Sequence, residues 1–295
     1  MGRTALARVM VVAAMGGSAV ALTGGPANAA TGVTRSGDIV TVNAAAGRSN
    51  DITIGLSASN VVIRDTTDTL IAGAGCVSVG DGSVTCSVNV GSATVVVNAG
   101  DGNDTITKTG NVAGDLRGEA GSDVINGGPT PRNNILNGGA GNDLLVGGPN
   151  FDQLIGGTGG DTFSGGGGTN DSVSYQASSS GVVVEIDDDI GDDGASGEGD
   201  SVLSSVENVI GSQFGDTLFG SASNNFMNGL GGVDFLEGEF GDDTLVGGAG
   251  GDILVGDVGN DTLNGVDGVV DTLNGGANTD TCIGDTIDTK ALCEA

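Results

Sequence analysis

Two stretches decide the fold: Gly138-Gly139-Ala140-Gly141-Asn142-Asp143 and Gly247-Gly248-Ala249-Gly250-Gly251-Asp252. Each crowds glycines ahead of an aspartate, and two residues past that aspartate each carries an apolar side chain, Leu145 in one and Leu254 in the other. Glycine reaches positive φ without steric cost, so such a run reverses the chain with several carbonyls pointing the same way. The residues after the aspartate can then extend as a short strand. Outward from these stretches the aspartates recur every nine residues: Asp143, Asp152 and Asp161 in one array, then Asp216, Asp234, Asp243, Asp252 and Asp261 in another, with Asn225 at the missing step. Single-residue insertions carry the register to Asp171 and to Asp271, after which Asp280 resumes it. A looser start places Asp104 and Asp123 at the same position. Two residues after the aspartates stand Ile106, Ile125, Leu145, Leu154, Phe163 and Val173, then Leu218, Met227, Leu236, Leu245, Leu254, Leu263 and Leu273. That series is the expected core.

Two such units make one coil of about eighteen residues, so aspartates two units apart stack along one edge at strand spacing, about 4.8 Å. Asp234 is expected over Asp216, and Asp252 over Asp234. Unshielded carboxylates at that separation repel by roughly 1 kcal/mol in a water-like medium and about 3 to 4 kcal/mol at an effective dielectric near 20. A hard dication between turns reverses the sign. Ca²⁺ accepts six to eight oxygens and mixes carboxylate with carbonyl ligands, whereas Mg²⁺ dehydrates reluctantly and suits a carbonyl-rich site less well.

The units read G-G-x-G-x-D-x-U-x, and over Ala99 to about Val173 and Gly211 to about Asp285 the chain resembles the RTX, or haemolysin-type, calcium-binding repeat family. The resemblance implies an all-β parallel β-roll, with calcium held between successive turns by the motif aspartates and glycine-loop carbonyls. Carried over by position, the implied ligands are Asp104, Asp123, Asp143, Asp152, Asp161, Asp171, Asp216, Asp234, Asp243, Asp252, Asp261, Asp271 and Asp280. Asn134 and Asn225 depart from the pattern and offer an oxygen without charge, so weaker or empty sites are expected there. Phe214 ahead of Asp216 and Glu119 ahead of Asp123 replace glycines, which puts those two turns in question.

The rest of the chain fits an exported protein. Residues 1–29 have the parts of a secretory signal: Arg3 and Arg8, an apolar stretch from Val9 to Leu22, and small residues at Ala27-Asn28-Ala29, with cleavage expected after Ala29. Removal would leave 7 basic against 38 acidic residues, a surface that repels phosphate and anionic lipid; nucleic acid and membrane insertion are therefore not expected. The four cysteines fall as local pairs, Cys76 with Cys86 and Cys282 with Cys293, and an oxidising compartment favours two short-range disulfides. A thiolate metal site has neither histidine nor C-x-x-C spacing to support it.

The expected organisation is a β-rich N-terminal cap over residues 30–98, a first repeat array over 99–174, a spacer with a solvated acidic loop over 175–210, a second array over 211–285, and a C-terminal cap over 286–295 closed by disulfide. Val206-Glu207-Asn208-Val209-Ile210-Gly211 resembles a segment that re-enters the repeats, which predicts one continuous or slightly interrupted roll. The chain has no histidine, which removes Ser-His-Asp and Cys-His systems and zinc hydrolases of the H-E-x-x-H type. The sequence reading is a secreted protein, not an enzyme, that folds on calcium and serves a structural or surface-interaction role, with a cell-surface or matrix polymer as the conceivable macromolecular partner. The alternatives are a calcium-dependent adhesin or glycan-binding module and, behind it, a carboxylate-based hydrolase, against which the near absence of aromatic sugar platforms counts.

Overall fold

A computed structural model describes residues 30–294; the signal segment read in residues 1–29 lies outside the described residues. Every regular element among them is a β-strand, and no helix is long and apolar enough to cross a membrane. The local reason is the alternation read from the sequence. In the strand Ile253–Val258 the side chain of Leu254 is buried and that of Ile253 points outward. The glycine runs between strands turn through positive φ at Gly248 (101°) and Gly250 (149°), values closed to most side chains.

The strands wind into one parallel β-roll. Leu218 pairs with Leu236 and Leu236 with Leu254, one coil apart, and the step to Leu273 is a residue longer where the insertion falls. One face of the roll is a 13-stranded sheet that runs the length of the molecule. The opposite face is divided between a 9-stranded sheet in the N-terminal half and a 7-stranded sheet in the C-terminal half. Val97, Leu116, Leu136, Leu154, Val173, Val209, Met227, Leu245 and Leu263 stack in register along the long sheet and are fully buried. Each is worth roughly 1.5–3 kcal/mol of burial. All thirteen apolar residues expected two places after a motif aspartate, or in the case of Met227 after Asn225, lie in this core.

Residues 175–210 do more than separate the arrays. Val182–Glu185 opens the 7-stranded sheet, Ser201–Val202 closes the 9-stranded one, and Asn208–Ile210 continues the long sheet between Ser172–Ser174 and Phe226–Asn228. The roll is thus continuous on one face and changes sheets on the other. The expectation of a wholly solvated acidic loop needs correction. Asp188, Asp189 and Asp192 are exposed, but Asp193 is buried and accepts the backbone N–H groups of Glu185 and Val202, each at 2.7 Å. Its carboxylate fastens the loop to two strands.

The N-terminal region is β-rich, as read. Ile39–Asn43 and Asp51–Ser57 pair parallel with the first repeat coil, while Ala30–Ser36 and Asn60–Asp65 add antiparallel to their far sides and cover the coil's end. Cys76 is joined to Cys86 within this region, and Cys282 to Cys293 at the last coil.

Candidate metal centre

The motif aspartates form three axial rows. The first runs Asp104, Asp123, Asp143, Asp161, and the third runs Asp216, Asp234, Asp252, Asp271. The second, along the long sheet, takes Asn134, Asp152 and Asp171, and resumes as Asn225, Asp243, Asp261 and Asp280. In every row one residue's backbone N–H donates to the Oδ1 of its counterpart one coil on, as Asp216 does to Asp234 and Asp234 to Asp252, at 2.8 and 2.9 Å. The stacking read from the nine-residue register is present at each step.

Oδ1 is thereby satisfied, and Oδ2 is not. Twelve carboxylates, those of Asp104, Asp123, Asp143, Asp152, Asp161, Asp171, Asp234, Asp243, Asp252, Asp261, Asp271 and Asp280, hold a buried Oδ2 with no hydrogen-bond partner. An orphaned buried acceptor costs about 1–3 kcal/mol and more when charged, so a dozen in register demand a counter-charge. The first glycine of each unit leaves the space they face. A Cβ at Gly229 would press on Asp234 Oδ2 and lie 2.7 Å from the Gly247 carbonyl oxygen, and one at Gly118 would press on Asp123 Oδ2 and lie 2.7 Å from that of Gly138. Further out on the turns, carbonyls line up along the roll axis: those of Gly121 and Gly141 point at Gly141 and Gly159 of the following coils, leaving no room there for a Cβ.

Burial pushes these carboxyls upward. It carries Asp161 to about 8, Asp171, Asp234 and Asp243 to about 7, and Asp123 to about 6, with the charges of row neighbours adding to the rise and the backbone N–H bonds opposing it. Asp104, Asp143, Asp152, Asp252, Asp261 and Asp271 move the same way for the same first cause. Each step of a row thus offers carboxylate and carbonyl oxygens and no nitrogen or sulfur, a donor set that suits a hard, irregularly coordinated dication such as Ca²⁺. No three His, Cys, Asp or Glu side chains converge among the described residues, so the backbone carbonyls have to supply much of any coordination shell.

Asp216 differs from the other sequence-read ligands. Its Oδ2 accepts the Ser212 backbone N–H at 2.6 Å, and its Oδ1 accepts the Ser212 hydroxyl at 2.7 Å and the Val182 N–H at 2.8 Å. Both oxygens are occupied by protein donors: Ser212 stands where Glu119, Gly139, Leu230 and Gly248 turn through positive φ, does not adopt it, and supplies both its backbone N–H and its hydroxyl. The turn at Glu119, doubted from its sequence, keeps the common shape: Glu119 adopts φ 78° where Gly139 adopts 111°, and Asp123 keeps its free Oδ2.

Four row members were missed by the sequence reading; one of them is Glu294, which receives the Asp280 N–H at 2.7 Å. Asp200 receives the Asp161 N–H at 2.8 Å, Glu207 receives that of Asp171 at 2.8 Å, and Asp288 receives that of Asp271 at 3.1 Å. Gly199-Asp200-Ser201-Val202 carries the motif's aspartate-to-apolar spacing and was legible; Glu207 has no glycine run ahead of it, and Asp288 keeps Gly284 but has Lys290 where the apolar residue should stand, so these two are placed by strand pairing. The Asp200 Oδ2 accepts the buried Tyr175 hydroxyl at 3.0 Å, so this carboxylate is fully paired without a cation.

Lys108 is the exception in charge. It is buried completely, with Nζ 3.3 Å from Thr130 Oγ1 and 3.5 Å from the Gly110 carbonyl oxygen, and burial pulls it down to about 8.

A family model of the RTX calcium-binding nonapeptide repeat (4 copies) matches residues 95–107, 113–129, 130–154, 146–171, 210–245 and 237–269. No curated protein is significantly similar to the chain. The matched segments contain the first row and most of the other two.

Proposed function

We propose that the chain, which matches a family model of the RTX calcium-binding nonapeptide repeat over several segments, is a secreted structural protein that folds on Ca²⁺ outside the cell and presents its roll as an interaction surface. One observation carries the calcium part: twelve buried carboxylate oxygens have no partner of their own, and at Asp123, Asp152, Asp234, Asp243 and Asp261 the adjoining glycine opens toward the carbonyl of a glycine one coil on. The ligands we assign are these twelve aspartates with the carbonyls of the glycine turns; Asp216 is left out because its oxygens are taken. The ion's contribution is charge and coordination. It neutralises a row and ties each coil to the next, and the chain's own part is to hold the oxygens in register with N–H bonds at every step.

Export is supported by residues 1–29 and by two disulfides of short span. A β-roll of this kind is typically without catalysis of its own. The surface role is favoured by Phe151 and Phe226, which stand half-exposed beside Ile210 on the outer face of the long sheet. Apolar side chains grouped in this way are the kind of feature that larger interaction patches are built from.

The test is circular dichroism of the chain from residue 30 onward, disulfides formed, titrated with Ca²⁺ from a chelated start to roughly 10 mM and with Mg²⁺ in parallel, since extracellular calcium modules bind at about 0.1–1 mM. A cooperative gain of β-structure with Ca²⁺ alone is expected. A spectrum already β-rich in chelator and indifferent to Ca²⁺ would remove the calcium-folding reading. Binding to matrix or cell-wall polymer, lost on substituting Phe151 and Phe226 by Ser, checks the surface role.

A further inference from the structure

The second row begins with an inverted unit. Strand pairing sets Lys108 in the column of Gly127, Gly147 and Gly165, the first glycines of that row's units, because Thr107 pairs with Asn126, Asn126 with Val146, and Val146 with Ser164. The same pairing sets Gly114 in the column of Asn134 and Asp152. Where the later units hold a glycine at the first position and an acid or amide at the motif position, this one holds a lysine and a glycine. The side chain that fills the interior comes from the opposite partner of the pair, and it ends in an ammonium instead of a carboxylate.

The surroundings offer the ammonium neutral acceptors, and the charge of the Asp152 carboxylate acts on it from beyond ion-pair distance. The Lys108 side chain is fully buried, its Nζ faces two neutral oxygens, those of Thr130 and Gly110, and no carboxylate lies within ion-pair distance. The next residue up the row is Asn134, neutral, whose Oδ1 is buried and unpartnered. Arg132 adds a second positive charge at this end, bonded to the carbonyls of Val90 and Gly91 in the cap region. Beyond Arg132 the sequence has no lysine or arginine until Lys290.

We propose that the Lys108 ammonium takes the place of a calcium ion at the cap end of the second row, so that the second-row edge of the first coil needs no calcium and the calcium ladder of that row starts at Asp152. This edge of the first coil and the N-terminal region, which pairs with it, then form a template on which the acidic coils wind as calcium arrives. A tethered cation is always present at its site, whereas a calcium site here would have an acidic repeat turn on one side only, the cap strand Asp51–Ser57 lying on the other.

The inference rests on calcium filling the aspartate rows, and two readouts on the disulfide-bonded chain separate the two ideas. The first is the number of Ca²⁺ ions bound at saturation, by native mass spectrometry. The double variant Lys108→Gly/Gly114→Asp rebuilds the ordinary unit and is expected to bind one ion more than the unaltered chain, while Lys108→Met, which removes the charge and adds no ligand, binds the same number. The second is hydrogen exchange in chelator. In the unaltered chain the strands Thr94–Asp101 and Thr105–Lys108 are expected to stay protected while those after Asp143 exchange freely, and in Lys108→Met the first coil exchanges faster by about tenfold or more. An unchanged ion count in the double variant, or first-coil exchange in chelator as slow in Lys108→Met as in the unaltered chain, overturns the assignment of Lys108 and leaves the calcium rows standing. An unaltered chain that binds no Ca²⁺ overturns both.

Discussion

At the scale of single residues, two aspartates that look alike in sequence divide by what their second oxygen meets. Asp243 Oδ2 is buried without a partner, whereas Asp216 Oδ2 accepts the Ser212 N–H. Asp243→Asn is therefore expected to lower the calcium count and, in chelator, to leave the chain more stable, since a neutral amide can donate to a turn carbonyl as Asn225 Nδ2 does to Glu207 O at 2.7 Å. Asp216→Asn is expected to leave the count unchanged and to cost about 1–3 kcal/mol, because its amide faces a donor. Native mass spectrometry and thermal unfolding with and without calcium separate the two. A glycine argument follows from the same turns. Glu239 adopts φ 68° at a position where Gly248 adopts 101°, and left-handed backbone costs a non-glycine residue about 1 kcal/mol or more. Glu239→Gly is expected to stabilise the calcium-loaded roll by roughly 1 kcal/mol, helped by removal of a charge that acts on Glu237 and Glu185. An unchanged or lowered melting temperature would contradict this.

At the scale of elements, the unit is a glycine turn followed by a strand of three to eight residues, too short to persist without neighbours above and below. Order in the end coils therefore depends on what closes them. The last strand of the long sheet, Thr281–Gly284, is tied to the following segment by Cys282 and Cys293, eleven residues apart. Cross-linking a loop of that size is worth about 3 kcal/mol on a chain-entropy account. Replacing both cysteines by alanine is expected to speed hydrogen exchange in Thr281–Gly284 and Thr289–Ala291 while the coils around Leu245 stay protected. A loss spread evenly over the roll would show instead that the bridge supports the whole second half. The strands themselves were legible because apolar residues fall at a fixed place after each aspartate. The spacer's strands were not, since Val182–Glu185 and Ser201–Val202 carry no repeat and take their place only by pairing with Thr217–Ser221 and Thr162–Gly166.

At the scale of the whole molecule, protons and calcium are alternative ways of relieving the rows. The buried carboxyls have folded values raised above the ordinary carboxylate range, to about 8 at Asp161 and about 7 at Asp171, Asp234 and Asp243. The folded chain thus binds more protons than the unfolded one. Without calcium the stabilisation is fully present below the unfolded value near pH 4 and is lost as pH rises through about 6 to 8. In chelator the roll is expected to be more stable to heat at pH 4.5 than at pH 7.5. With saturating calcium the order reverses, because the ion needs the deprotonated form. Equal stability at both pH values in chelator would mean the rows are relieved by something other than protonation.

The sequence by itself determined the coil, the core and the rows, because all three follow from a local alternation of turn and strand repeated at nine residues: the period that sets the backbone also sets which side chains stack. It determined the two disulfides for a similar reason, since each pair lies about a dozen residues apart. Tertiary structure alone decided how the spacer divides one face of the roll into two sheets, that Asp200, Glu207, Asp288 and Glu294 join the rows, that Asp193 is a buried fastener, that Asp216 is satisfied by protein, and that Lys108 stands in a glycine's column. In each case the outcome depends on a partner one coil away at a distance in sequence that insertions vary, and on whether that partner donates, accepts or leaves a buried oxygen free.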